Sequence, residues 1–484
     1  MSSATKLKRR SCDRCYKNKQ KCDFEIEAEI CTLCSVSQAM CTTLRSRPRQ
    51  GRRPTVQHLG PKKSVHIWEV TSTNSSDPSQ MMVKTNETHF FHTAAALGSP
   101  YESLLHLSEP DNPFESSPDI IIRFSTNYSV FMSTPRLAPC FRAALQKSYA
   151  CSPLLLRDIY SVLFLSIPSP SDQYHGQKAT TTLNHQSNIV LRTSSLQKLR
   201  TARVTNIQHA FAVIALGQAL AAFELLTNCV GSMLILRYSL RVAKEWYSEL
   251  AREESMDAVM ICPVFWDTVH SAFRGEVPVV RFSEREGVGV VDRIGGICTG
   301  LLGILYDLCV VGKRVKDQRR SGSGIDTTDL TEIEQRLISW TSRTPSNFTI
   351  IFSPQEIIGM EIQSSLYRTA SLLLIHRIIN PIGTHDSVAI SLANSILLEF
   401  SRYSAHTVPG LQVPYVAFPV LLATLEDPNV SMEIWESMPL LALAPICVGK
   451  IVAFVEYAWD KRRNGFEGFL YQLVDSGPEF IVVP

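Results

Sequence analysis

SCDRCYKNKQKC, residues 11–22, sets three thiols, Cys12, Cys15 and Cys22, among four cations, Arg14, Lys17, Lys19 and Lys21. Reading outward, the thiol spacing recurs at Cys31, Cys34 and Cys41, so the six follow C-x2-C-x6-C-x8-C-x2-C-x6-C. A C-x2-C pair places two thiolates on one side of a tight turn or helix start, within reach of one metal ion. Zinc takes four such ligands in a tetrahedron at about 2.3 Å. Two isolated zinc sites need eight ligands, and no histidine occurs before His58. Six thiolates serve two Zn²⁺ ions only if two of them bridge, so the spacing predicts a binuclear cluster with surplus negative charge. Nearby Lys and Arg lower thiol pKa values and offset that surplus. In a reducing compartment, clustered cysteines signal metal or catalysis more often than disulfides. The competing readings are a zinc module that binds protein and a disulfide knot.

Residues 12–41 resemble the fungal six-cysteine, two-zinc binuclear cluster domain of a large family of transcription regulators. The resemblance rests on the six cysteines, the basic run KNKQKCD (17–23) and the basic tail after Cys41. It implies that Cys12 and Cys31 bridge two Zn²⁺ ions, one completed by Cys15 and Cys22, the other by Cys34 and Cys41. It also implies that the first short helix enters the DNA major groove, where Lys19, beside Asn18, contacts the guanines of a CGG triplet. Lysine donates well to guanine O6 and N7. At about 100° per residue, however, Lys19 falls near the Cys15 side, with Arg14, Lys17, Asn18 and Lys21 opposite, so Lys19 points outward only if the helix ends there. Two features depart from the family pattern. The loop DFEIEAEI (23–30) has no proline and three glutamates, and CTLCSVSQAMC (31–41) has no basic residue. DNA contact is therefore expected from the first half of the module and its flanks.

Charge is distributed accordingly. Residues 1–60 hold 13 Lys/Arg against 5 Asp/Glu, while the whole chain is only +3. A basic head on a mildly acidic body suits a polyanionic partner. Arg14, Lys17 and Lys21 are expected on phosphate, or on a solvated face that balances the cluster. After Cys41, RSRPRQGRRP (45–54) interleaves Arg45, Arg47, Arg49, Arg52 and Arg53 with Pro and Gly. It reads as an extended segment tracking the DNA backbone, and with Lys6, Lys8, Arg9 and Arg10 as a nuclear import signal. No heptad coiled coil follows it, so a homodimer would have to form through the C-terminal region. The polar start MSSATKLKRR predicts no secretory signal. AFAVIALGQALAAFELL (210–226) is the most membrane-like run, but Gln218 and Glu224 mark it as a buried helix.

Residues 64–120 are rich in Ser, Thr, Asn, Pro and His and read as a disordered linker. Helical periods dominate beyond it, with helices expected over 157–167, 206–227 and 232–251 and a polar stretch through about 203. Ser353-Pro354-Gln355-Glu356 is a capping box whose helix stops at Asn380-Pro381. Later helices are expected near 387–403, 412–425, 440–459 and 464–475. LYRTASLLLIHRI (366–378) and KIVAFVEYAWDKRR (450–463) resemble the helical regulatory region that accompanies such zinc clusters.

Signs of catalysis are few. GVGVVDRIGG (287–296) lacks the third glycine of a dinucleotide fingerprint, SGSG (321–324) reads as a loop, and His376 as a satisfied core histidine. The remaining seven cysteines, Cys140, Cys151, Cys229, Cys262, Cys298, Cys309 and Cys447, read as ordinary buried thiols. LEDPNVSMEIWESM (425–438) reads as a loop with a helix start rather than an activation segment.

The expected architecture is a zinc-stabilised N-terminal module (1–60), a largely disordered linker (61–150) and an all-α regulatory domain (151–484). The expected function is sequence-specific binding of double-stranded DNA in the nucleus. The chain would work with the transcription machinery on a specific metabolic gene set, such as a secondary-metabolite cluster, with no enzymatic activity and no membrane. The alternative is an interaction scaffold whose zinc module is purely structural.

Overall fold

The computed structural model describes residues 12, 15, 22, 30–37 and 41 of a first unit, Met1–Pro100, and residues 131–166, 181–229, 231–285, 289–406 and 415–484 of a second, Tyr101–Pro484. The expected linker between 61 and 130 lies outside the described residues.

In the first unit, α1 (Thr32–Val36) starts directly after Cys31, whose extended backbone caps it. The Ser35 amide donates to the Cys31 carbonyl at 2.9 Å. Five residues are too few for a helix to hold by itself. Among the described residues of this unit the core is sulfur: Cys12, Cys15, Cys31 and Cys34 are buried, with Cys22 and Cys41 packed against them.

The second unit is helical, with no strand among the described residues. Its order is α2 (Ala138–Cys151), α3 (Pro153–Ser166), α4 (Thr181–Thr201), α5 (Ile207–Thr227), α6 (Ser232–Leu250), α7 (Asp257–Arg274), α8 (Leu301–Ser321), α9 (Thr328–Ser339), α10 (Phe348–Ile351), α11 (Pro354–Ile379), α12 (Asp386–His406), α13 (Ala417–Thr424), α14 (Pro439–Ala442), α15 (Pro445–Arg463) and α16 (Leu470–Ser476). Helix α2 falls inside the stretch assigned to the linker. Phe141, Ala144 and Leu145 bury its inner face, so the helical body begins before residue 151.

Helices α5 and α7 form the centre. Asn206 caps α5, its side chain accepting from the His209 amide at 2.8 Å. Residues from Ala210 to Ala221 are buried without a break. Helix α5 is long and apolar enough to cross a membrane, yet 83% of its most apolar window is buried by its neighbours. Helix α6 crosses it closely because position 217 is glycine; a Cβ there would sit 2.1 Å from Ser239 Oγ. Helix α7 is buried from Val259 to Phe273 and contacts α2, α5, α6, α8 and α16.

Helix α11 has the expected capping box. The Ser353 amide donates to Glu356 Oε2 at 2.7 Å, and the Glu356 amide returns to Ser353 Oγ at 3.4 Å. The helix ends at Ile379, before Pro381. Helix α4 occupies the stretch read as merely polar. It shows little apolar stripe because ionic links hold it: Lys198 Nζ bonds Asp158 Oδ2 of α3 at 2.6 Å, and Arg192 pairs with buried Glu224 of α5.

Arg377 of α11 is buried and forks onto Glu426, with Nε to Oε1 at 2.7 Å and Nη2 to Oε2 at 2.6 Å. Asp386 and Arg462 complete this network. It ties α11, α12 and α15 to the turn after α13. The 425–438 stretch contains a 3-10 turn, Met432–Trp435, capped by Ser431, and Trp435 is fully buried.

Residues 480–483 have no regular secondary structure and are buried. Phe480 stacks on Phe454 at 4.1 Å between centroids and meets Phe273 edge-on. Trp266 Nε1 donates to the Val482 carbonyl at 2.8 Å.

Candidate metal centre

All six head cysteines converge. Two sets of four sulfurs each lie within 4.8 Å of one another: Cys12, Cys15, Cys22 and Cys31; and Cys12, Cys31, Cys34 and Cys41. The sets share Cys12 and Cys31. Cys12 Sγ is 3.7 Å from both Cys31 Sγ and Cys34 Sγ, and Cys15 Sγ is 3.7 Å from Cys31 Sγ. Sulfurs placed tetrahedrally about one ion with bonds of about 2.3 Å stand about 3.8 Å apart, so the donor set fits metal coordination.

The sequence repeat is also a repeat in space. The Cys12 amide donates to Cys22 Sγ at 3.2 Å, and ten residues likewise separate the Cys31 amide from the Cys41 Sγ it reaches at 3.4 Å. The Cys15 amide donates to Cys12 Sγ at 3.4 Å, and the Cys34 amide serves Cys31 in the same way. Each repeat thus turns its first and third sulfurs inward with its own backbone. The second cysteine of each stands in a helix, Cys34 as the third residue of α1.

Burial raises the pKa of the Cys31 thiol, but the Cys34 amide and neighbouring thiols outweigh it and hold Cys31 at about 6. Cys12 is also lowered: burial opposes, while the Cys15 amide and the Cys15 and Cys34 thiols prevail. Burial pushes Cys15 and Cys34 up. The two sulfurs common to both sets are therefore the ones most ready to lose a proton, which suits ligands that must serve as thiolates.

The expected nucleic-acid contacts, Arg14, Lys17, Asn18, Lys19, Lys21, Arg45, Arg47, Arg49, Arg52 and Arg53, all lie outside the described residues.

In the body, the glycine-rich stretch serves a turn. Asp292 Oδ1 accepts from the Ile294 and Gly295 amides at 2.9 and 2.6 Å, and Asp292 pairs backbone to backbone with Gly296. Gly296 has φ +54°, and a Cβ there would strike Gln363 Oε1 at 2.5 Å. Ser321 ends α8, and Gly322 forms its left-handed cap. His376 is half-buried near the end of α11, with Nδ1 3.3 Å from Asn380 Nδ2, rather than in the core. Of the seven body cysteines, Cys140 is exposed and Cys151 half-buried, because both lie on the outer part of α2; the other five are buried as expected.

A partly open recess between α7, α8, α11 and α16 is lined by Phe273, Leu308, Lys316, Leu374 and Leu470. Its Lys316 ammonium donates to the Arg274 carbonyl at 3.0 Å and to Asp475 at 3.1 Å. No protein-family model, curated protein or solved structure matches the chain.

Proposed function

We propose that the chain is a zinc-dependent, sequence-specific DNA-binding regulator of RNA polymerase II transcription. It acts in the nucleus on CGG-like half-sites and controls a specific metabolic gene set. The observation that carries this reading is the convergence of six sulfurs into two quartets sharing Cys12 and Cys31, within a segment rich in cations. Cys12, Cys15, Cys22 and Cys31 would hold one Zn²⁺, and Cys12, Cys31, Cys34 and Cys41 the second. When bound, zinc supplies folding free energy, on the order of 10–16 kcal/mol per structural site. The chain's own side chains do the recognition. Arg14, Lys17, Lys21 and the arginines at 45, 47, 49, 52 and 53 neutralise phosphates, and Lys19 with Asn18 reads base edges. The helical body serves as the regulatory domain.

One observation favours a second reading, an interaction scaffold with a structural zinc module. Around the second half of the cluster, Ile30, Leu33 and Val36 are exposed, Val36 at 81%, in a stretch without cations.

The test is a binding selection from a random duplex pool at about physiological salt, using the full, zinc-loaded chain. Enrichment of CGG triplets, lost in Lys19→Ala while affinity for random DNA persists, is the expected result. A zinc-loaded, folded chain that enriches no sequence would reject the DNA reader and leave the scaffold.

A further inference from the structure

Helices α8 and α9 meet through RRSGSGID (319–326), and every residue from Ser321 to Asp326 is exposed. Ser321 ends α8, its hydroxyl donating to the Gln318 carbonyl at 3.0 Å. Gly322 caps the helix with φ +69°, and Ser323 stands outside it, its amide donating to the Gln318 carbonyl at 3.0 Å. A Cβ on Gly322 or Gly324 would meet nothing within 4 Å, so the glycines on both sides of Ser323 border open space. Exposed links of small, polar residues are where other enzymes reach a folded chain most readily.

Two arginines lead into this link. Arg320, three positions before Ser323, has a side chain 54% exposed and donates from Nη2 to Asp475 Oδ2 of α16 at 2.6 Å. Lys316 Nζ holds the other oxygen of Asp475 at 3.1 Å. A guanidinium at that spacing suits a protein kinase whose substrate cleft carries carboxylates, since arginine binds them as a fork. Other serines of the described body follow an arginine by three positions, and each is buried, helical or tied to a neighbour. Ser195 and Ser371 are buried in helices. Ser339 ends α9, its hydroxyl donating to the Gln335 carbonyl at 2.9 Å. Ser255 follows two glutamates and accepts from Lys147 Nζ at 2.8 Å. Ser346 lies in a stretch packed so tightly that a Cβ on Gly289 would come 2.6 Å from the Arg343 carbonyl oxygen.

We propose that Ser323 is a phosphorylation site for an arginine-directed protein kinase, and that its phosphate draws Arg320 away from Asp475 and loosens α16. The Ser323 hydroxyl oxygen attacks the γ-phosphorus of magnesium-bound ATP, and the bond from that phosphorus to the β,γ-bridging oxygen breaks. ADP leaves, and the hydroxyl proton passes to the kinase's own carboxylate base. One serine and one ATP give one phosphoserine, one ADP and one proton. The new group carries about −1.5 to −2 charge at pH 7. It sits just past the C-terminus of α8, where the helix dipole disfavours an anion, so it takes the exposed guanidinium of Arg320 as its counter-charge. Asp475 then keeps Lys316 alone. Helix α16 is the last helix before the Phe480–Val483 segment that closes the core, so the charge added at the link reaches the body's final layer. None of this depends on what the cysteine-rich head binds.

The test incubates the full, zinc-loaded chain with magnesium ATP and the catalytic subunit of cyclic-AMP-dependent protein kinase, an arginine-directed enzyme, and maps phosphate by mass spectrometry over time. Phosphate should appear on Ser323 well before Ser346. It should be lost from the 321–326 link in Ser323→Ala and form at least about tenfold more slowly in Arg320→Ala, as the loss of one charge-assisted hydrogen bond implies. Amide hydrogen exchange over 470–476 should quicken in the phosphorylated chain, and equally in unphosphorylated Arg320→Ala. A link that stays unmodified while other serines are labelled, or that is labelled no faster than Ser346, overturns the phosphorylation site. A phosphorylated Ser323 with unchanged exchange over 470–476 overturns its hold on α16. Both substitutions are at exposed positions, and the wild-type map decides the site without them.

Discussion

Single side chains carry the sharpest consequences. Cys12 and Cys31 belong to both sulfur quartets, whereas Cys41 belongs to one. Cys31→Ala should therefore abolish metal binding altogether, while Cys41→Ala should spare one quartet. Metal counted by mass spectrometry on purified chains checks this, and equal losses in both variants would refute a shared ligand. His270, buried in α7, is a second case. Burial, with Arg274 and Arg237 opposed by Glu276, pushes it from 6.5 down to about 3. The unfolded chain then takes up the proton first, so this contribution to stability is whole above pH 6.5 and is lost as pH falls toward 3. Between pH 6.5 and 5, urea titrations should show a loss of about 1.5 kcal/mol that is absent from His270→Gln. Parallel curves for the two proteins would assign the pH dependence elsewhere. The head thiols were legible because ligand spacing is written along a short chain segment. The buried setting of His270 was not, because only the packing of other helices around α7 creates it.

At the scale of elements, legibility followed the kind of force involved. Helix α11 announces itself through Ser353, Pro354 and Glu356 at its start and Pro381 after its end, all local signals. Helix α4 does not, since Lys198 and Arg192 reach partners on other helices and leave no apolar period behind. The Arg377–Glu426 fork was equally hidden, its members being far apart in sequence and unremarked by any motif. It should nonetheless outweigh the visible cap. Ser353→Ala should cost about 1 kcal/mol. Glu426→Ala, which strips a buried guanidinium of its bidentate partner, should cost about 3–5 kcal/mol. Chemical denaturation of the two variants side by side measures the difference. A smaller loss for Glu426→Ala than for Ser353→Ala would mean that Asp386 alone satisfies Arg377.

The whole molecule has separate cores of different substance, sulfur in the head and packed helices in the body. Removing metal with a strong chelator should abolish the head's circular dichroism signal and leave the body's thermal midpoint within about 1 °C. A matching fall in that midpoint would show that the body depends on the metal. Composition and periodicity made the helical body legible, but not how it closes: the expected helices stop at 475, and IVVP (481–484) beyond them packs as core. That arrangement governs the order in which the protein can be made. Phe273 and Phe454 leave the ribosome well before Phe480, and the Trp266 indole waits for the Val482 carbonyl. A nascent chain halted at residue 476 would present these rings to solvent as a sticky, unfinished surface. The body's core can therefore close only once residues 480–482 have emerged, so a chain stopped before them would be marked for chaperones or proteases by its own exposed aromatic rings.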